Sequence, residues 1–162
     1  MILEISLPES LDEMLALPEA QLHSPEKVAG LTVAALNVYV KNKEECFKML
    51  DYLRGPRPLS NFEKQFIRDR FMDGHDYIPR AYLYGASPQN NYQPELPARI
   101  ELKPSASQIA EEGYRKYDVY SLGADTPRPV TLRYKPSTDQ WFLWEQSLLV
   151  QVKTPVKDDP WA

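Results

Sequence analysis

The sequence predicts an α+β fold: a helical half of about four helices, residues 6–74, packed on an antiparallel sheet of about four strands, residues 98–153. Three observations predict it. Before Gly74 the chain reads as capped segments containing alanine and leucine, and after about Pro97 it reads as short alternating strands. Between them the join, residues 75–97, concentrates tyrosine and proline without a packing period. At 162 residues the chain suits one domain, 1–162, with a real core and a tail at 154–162.

The first helix is signalled by Ser6-Leu7-Pro8-Glu9, a capping-box spacing, and ends at Pro18. Ser24-Pro25 opens the second, because a proline at the first helical position gives up an N–H that has no partner there anyway. That helix runs to about Val40 and is apolar all round, which marks it as central. Its apolar run is well short of the roughly 20 residues that a membrane span needs. Asn42 with Glu45 starts a third helix, whose Cys46, Phe47, Met49, Leu50 and Leu53 form a stripe up to Gly55-Pro56. Ser60 with Glu63 starts a fourth, in which Phe62, Phe66, Ile67 and Phe71 are expected to share one face.

Within the join, Pro79, Gly85, Pro88 and Pro94 interrupt any long element, so an ordered loop with a short helical turn is expected. Ile100 and Leu102 alternate in a first strand, and Tyr114 to Leu122 forms a second. Val130, Leu132 and Tyr134 alternate with Thr131, Arg133 and Lys135 in a third. The last segment, Trp141 to Val152, breaks its alternation around Gln146 to Leu149, as a bulge or bend would.

The net charge of −4 is shared between the halves, so the basic face of a nucleic-acid binder is missing. Cys46 is the only cysteine, which excludes an intrachain disulfide. The N-terminus lacks a basic segment followed by an apolar run, and the location read from this is cytoplasmic. The expected partner is an unidentified protein or a second copy, with no nucleic acid and no membrane.

The segments Met49-Leu-Asp-Tyr-Leu-Arg-Gly-Pro-Arg-Pro-Leu-Ser60, Gly123-Ala-Asp-Thr-Pro-Arg-Pro-Val-Thr-Leu-Arg133, Trp141-Phe-Leu-Trp-Glu145 and Asp159-Pro-Trp-Ala162 resemble a family of small uncharacterised proteins from Gram-positive, gut-type bacteria, a domain of unknown function. The resemblance covers almost the whole chain and carries no activity or catalytic residue. In architecture, helices followed by a sheet that closes on an arginine-rich strand and a tryptophan strand are similar to the cone-shaped NTF2-like fold. That resemblance implies a curved sheet wrapped on helices and hosts enzymes and non-enzymes alike.

Few residues offer chemistry. His23 precedes a helix cap and reads as a solvent-facing linker residue. Asp73-Gly74-His75-Asp76 holds three potential ligands, yet a glycine and a histidine after a helix are equally its terminator and a favourable charge at the carbonyl end. Cys46 reads as core, Glu111-Glu112 and Asp158-Asp159 as solvated charges, and the prolines of Arg54-Gly-Pro-Arg-Pro58 as a rigid connection. No glycine-rich phosphate loop or nucleophile elbow is present. No catalytic residue, metal ligand or cofactor is therefore predicted.

The one Arg/Tyr-rich neighbourhood supplies the candidate binding residues: Arg68, Arg70, His75, Asp76, Tyr77, Arg80, Tyr82 and Tyr84. Such residues are enriched at binding hot spots, although tyrosines also fill seams between helices and sheets. The leading expectation is a non-enzymatic protein-interaction or assembly module working through the Tyr77–Tyr92 loop. The alternative is a small-ligand pocket or minor enzyme between sheet and helices, with His75, Asp76 and tyrosine hydroxyls as its polar points.

Overall fold

The computed structural model describes residues 1–162 and has the predicted α+β order, with four α-helices leading into an antiparallel sheet. The sheet has five strands, one more than the sequence suggested: β1 (Ile2–Glu4), β2 (Arg99–Pro104), β3 (Tyr114–Val119), β4 (Arg128–Lys135) and β5 (Gln140–Gln146), neighbours in that order. The extra strand is β1, in which Leu3 pairs with Ile100 at the edge of β2. It is too short for alternation to identify it, and only its partner strand makes it one.

The first helix is also displaced. Ser6 caps nothing; α1 (Leu11–Leu15) is capped by Ser10, whose hydroxyl accepts from the Glu13 N–H at 3.1 Å. The same Ser-x-x-Glu spacing recurs four residues on, and the earlier copy lies on the connection from β1. The other three helices follow their caps. α2 (Pro25–Val38) begins at Ser24, α3 (Lys43–Arg54) at Asn42, and α4 (Asn61–Phe71) at a complete Ser60/Glu63 capping box.

α2 is buried nearly all round and carries the core between the other helices and β3, β4 and β5. Its Thr32 hydroxyl donates to the Val28 carbonyl at 2.9 Å, so this buried polar group is satisfied within the helix. A Cβ on Gly30 would lie 2.8 Å from the Ile5 side chain, so that glycine makes room for the chain leaving β1. Thirty-five buried residues form one continuous cluster that includes both helical and sheet residues. The space between α2 and the sheet is filled by Ile100, Tyr117, Val130, Leu132 and Leu143, each 2% exposed or less.

The predicted irregularity near the last strand is present but earlier. Thr131 pairs with Glu145 while Leu132 pairs with Leu143, so Trp144 is the extra residue of a bulge, and β5 ends at Gln146. Residues 147–153 then leave the sheet as irregular chain that still buries Leu148, Leu149 and Val152. No helix is long and apolar enough to cross a membrane.

Candidate functional site

The join folds as three short 3-10 turns, His75–Tyr77, Pro79–Tyr82 and Pro88–Asn90, laid against residues 147–153 and the end of β2. Buried irregular backbone needs hydrogen-bond partners that no sheet neighbour supplies, and the tyrosines supply them. The Tyr82 hydroxyl donates to the Leu148 carbonyl, Tyr77 to Val152 at 3.3 Å, and Tyr92 to Lys153 at 2.6 Å. Tyr77 and Tyr92 stack with ring centroids 5.4 Å apart, and Arg128 donates to the Val150 and Gln151 carbonyls from the other side. Burial pushes the Tyr82 phenol well above its ordinary range, and burial together with the neighbouring Tyr77 pushes Tyr92 up to about 12. These rings hold the structure together.

The candidate residues read from the sequence therefore do not converge on one surface. Tyr77 and Tyr82 are buried, and so is Tyr92 at the end of that loop, so none offers a ring to a partner. Arg80 is spent on the loop itself, donating to the Tyr92 and Asn91 carbonyls. Tyr84 is half-buried beneath the Arg99 guanidinium, 4.7 Å from its ring centroid. His75 packs edge-on to Tyr77, and Asp76 is exposed. Arg68 lies 5.3 Å over the Phe47 ring, whereas Arg70 lies 4.8 Å over Phe66. Nowhere does the fold gather three His, Cys, Asp or Glu side chains able to hold a metal ion. Cys46 is fully buried, and burial raises its thiol to about 12.

Two grooves border the join. One, of about 440 Å³, is lined by Tyr82, Tyr84, Glu95, Glu101, Tyr120 and Leu122. The other, of about 270 Å³, includes Asp76 and Arg80 with Asn37 and Lys41. Neither is lined by His75, and both lie outside the packed space between helices and sheet.

A different surface gathers aromatic and arginine side chains. In α4, Ile67 and Phe71 are buried, while Phe62 is 81% and Phe66 38% exposed. The four do not share a face, because at about 100° per residue the pair 62/66 lies roughly 140° round the helix from 67/71. The inner pair packs on the core, with Phe71 stacked 4.0 Å from Tyr39. The outer pair faces a groove of about 350 Å³ whose other wall is Arg57, Leu59 and Trp144.

That wall is built by stacking. The Arg57 guanidinium lies 3.8 Å over the Trp144 ring and donates to the Trp144 carbonyl, and Arg133 lies 4.7 Å from the same ring and 5.3 Å from Tyr114. The bulge presents Trp144 here, since an extra residue re-aims its side chain. Trp141, on the other side of the strand, is similarly covered by Arg115 at 5.4 Å. Residues three apart on a strand point to opposite sides, and both tryptophans are half-buried.

Beneath the groove, the largely buried Arg54 pairs through Nη2 with Glu63 Oε2 at 2.7 Å and donates through Nε to the Arg57 carbonyl at 2.9 Å. Burial pulls the Glu63 carboxyl upward, but the Ser60 capping bonds and Arg54 outweigh it and leave it below the usual range. A carboxyl lowered on folding stabilises the fold above its unfolded pKa, about 4.3, and that contribution is lost as pH falls through the lower folded value. Glu63→Gln is expected to cost about 1–2 kcal/mol at pH 7, since Glu63 is partly solvated, and to flatten the loss of stability below about pH 4. Urea unfolding at pH 7 and pH 3.5 measures both.

No curated relative and no solved structure matches the chain. The family comparison does match, over residues 6–156, and by it the chain belongs to the family described as Domain of unknown function (DUF6935).

Proposed function

We propose that the protein is a docking or assembly module, working in the cytoplasm of a Gram-positive, gut-type bacterium, and that it docks through the outer face of α4 and the bulged end of β5. The observation that carries this reading is Phe62, 81% exposed, with Phe66 one turn on, opposite the Arg57–Trp144 stack. Residues four apart on a helix are neighbours, so the two phenylalanines form one apolar strip. Covering such a strip removes apolar area from water at about 25 cal/mol per Å². Arginine and tryptophan beside it are the residue types that anchor interfaces. The free, buried Cys46 thiol suits a reducing compartment.

The test is capture from native lysate with wild type and a Phe62→Ser/Phe66→Ser variant. The variant is expected to lose the bound partner while its melting curve is nearly unchanged; equal recovery would sink the reading. Tyr82 is unsuited to such a test, because its truncation attacks the core.

The second reading, a small-ligand site, moves to the groove beside Tyr84, Glu95, Glu101 and Tyr120. A cone-type pocket would lie between helices and sheet, where Ile100, Tyr117 and Leu132 already pack. That packing favours docking over a pocket.

A further inference from the structure

The groove beside Tyr84 is separate from the α4 surface, and its volume of about 440 Å³ lies within the range of about 300–1,000 Å³ that holds a small ligand. Its walls are the chain around Tyr84, Glu95 from the same join, Glu101 on β2, and Tyr120 and Leu122 just past β3. Only two charged side chains line it, Glu95 and Glu101, and both are carboxylates. Glu95 is held to the wall: its N–H donates to the Tyr84 carbonyl at 3.0 Å, and Gly85, at φ +89, makes room for its carboxylate, since a Cβ there would lie 2.7 Å from Glu95 Oε2. The cations nearby do not line the groove and already have partners. Arg99 pairs with Glu95 at 3.4 Å and lies over Tyr84, while Lys103, 5.6 Å over the Tyr120 ring, stands opposite Asp118 on β3. Glu101, exposed between them on β2, makes no ion pair, so the surplus charge at the groove is negative and sits on Glu101.

We propose that this groove binds a small organic cation, an ammonium group on an aromatic or branched apolar body, with the ammonium facing Glu101 and Glu95 and the body against Tyr84, Tyr120 and Leu122. The inference rests on the small-ligand reading of this groove given above and names its ligand class; the α4 surface plays no part in it. An ammonium carries donors and no acceptor, and the charged side chains of the groove only accept. Tyrosine rings attract cations through the negative charge over their faces, and Arg99 and Lys103 already lie over these two. Leu122, 69% exposed, leaves apolar area for the body of the ligand to cover. An anion of the same shape would meet two carboxylates with no cation in the lining to offset them. A metal ion fits less well, because no third His, Cys, Asp or Glu stands with the pair.

The experiment is an NMR titration of the isotope-labelled chain with phenethylamine, phenethyl alcohol and hydrocinnamate, which share a phenyl body and differ in charge. Phenethylamine is expected to shift the amides of residues 84–86 and 120–122 saturably, about tenfold more tightly than the alcohol, while hydrocinnamate leaves them in place. Added salt is expected to weaken the amine and not the alcohol. Glu101→Gln is expected to weaken the amine about fivefold and leave the alcohol unchanged, whereas Leu122→Ser weakens both. Both side chains are exposed, so neither variant threatens the fold, and an unchanged melting curve checks this. Equal binding of amine and alcohol, tighter binding of hydrocinnamate, or an amine affinity that Glu101→Gln does not alter overturns the cation and leaves the groove as a ligand site. If none of the three probes shifts these amides, the small-ligand reading falls with it.

Discussion

Tyr82→Ala is expected to lower stability by about 3–5 kcal/mol, the cost of truncating a fully buried aromatic ring. Tyr82 is 1% exposed, and its hydroxyl holds the Leu148 carbonyl within a segment that has left the sheet. Removing the ring opens a cavity in the seam and removes a donor at once. For a chain of this length that amounts to a fall in melting temperature of roughly 6–20 °C. Tyr82→Phe separates the two contributions: it keeps the ring and is expected to cost about 1–3 kcal/mol for the carbonyl left without that donor. Denaturant unfolding of wild type and both variants measures this, and equal stability of Tyr82→Phe and wild type would mean that the hydroxyl contributes nothing.

The same geometry sets an alkaline limit. Burial raises the Tyr82 and Tyr92 phenols, and burial with the Glu26 hydrogen bond raises Tyr117 to about 12. A phenol raised on folding stabilises the fold fully below its unfolded value near pH 10, and that stabilisation is lost as pH rises through the folded value. Stability is therefore expected to decline from about pH 10 upward, less steeply in Tyr82→Phe.

What the sequence made legible and what it hid divide along a physical line. Ser24, Asn42 and Ser60 were readable because a cap acts within one turn, and all three open the helices they predict. Ser6 offered the same local signal and failed, since Ser10 four residues later offered it too and the chain before it was committed to β1. β1 itself was invisible, because an edge strand of three residues exists only through its partner. The candidate site suffered most. The Tyr77–Tyr92 loop stood out by composition, but whether a tyrosine faces solvent or donates to a buried carbonyl depends on where residues 147–153 return. The α4 strip was legible in principle from helical angles alone, which separate Phe62 and Phe66 from Ile67 and Phe71.

Gly55→Ala is expected to cost about 2–4 kcal/mol, and the reason lies in two independent terms. Gly55 closes α3 with φ +60 and ψ −117, a conformation open to glycine and strained for any side chain. An added Cβ would also lie 2.4 Å from the Phe142 ring, so the ring or the connection must shift. Gly74 provides the comparison: its φ is +79, but a Cβ there meets nothing within 4 Å. Gly74→Ala is expected to cost only the backbone term, about 1–2 kcal/mol. Combining Gly55→Ala with Phe142→Ala is expected to cost less than the sum of the two, since the clash disappears when the ring does. Equal losses at Gly55 and Gly74 would remove Phe142 from the account. The effect should reach the docking surface as well. Gly55 sets the path of the connection to Arg57, and Arg57 lies over Trp144 at the wall of the groove. A displaced connection unstacks that wall, so Gly55→Ala is expected to weaken capture of the partner even where the fold survives, whereas Gly74→Ala, at the far end of α4, leaves the groove intact.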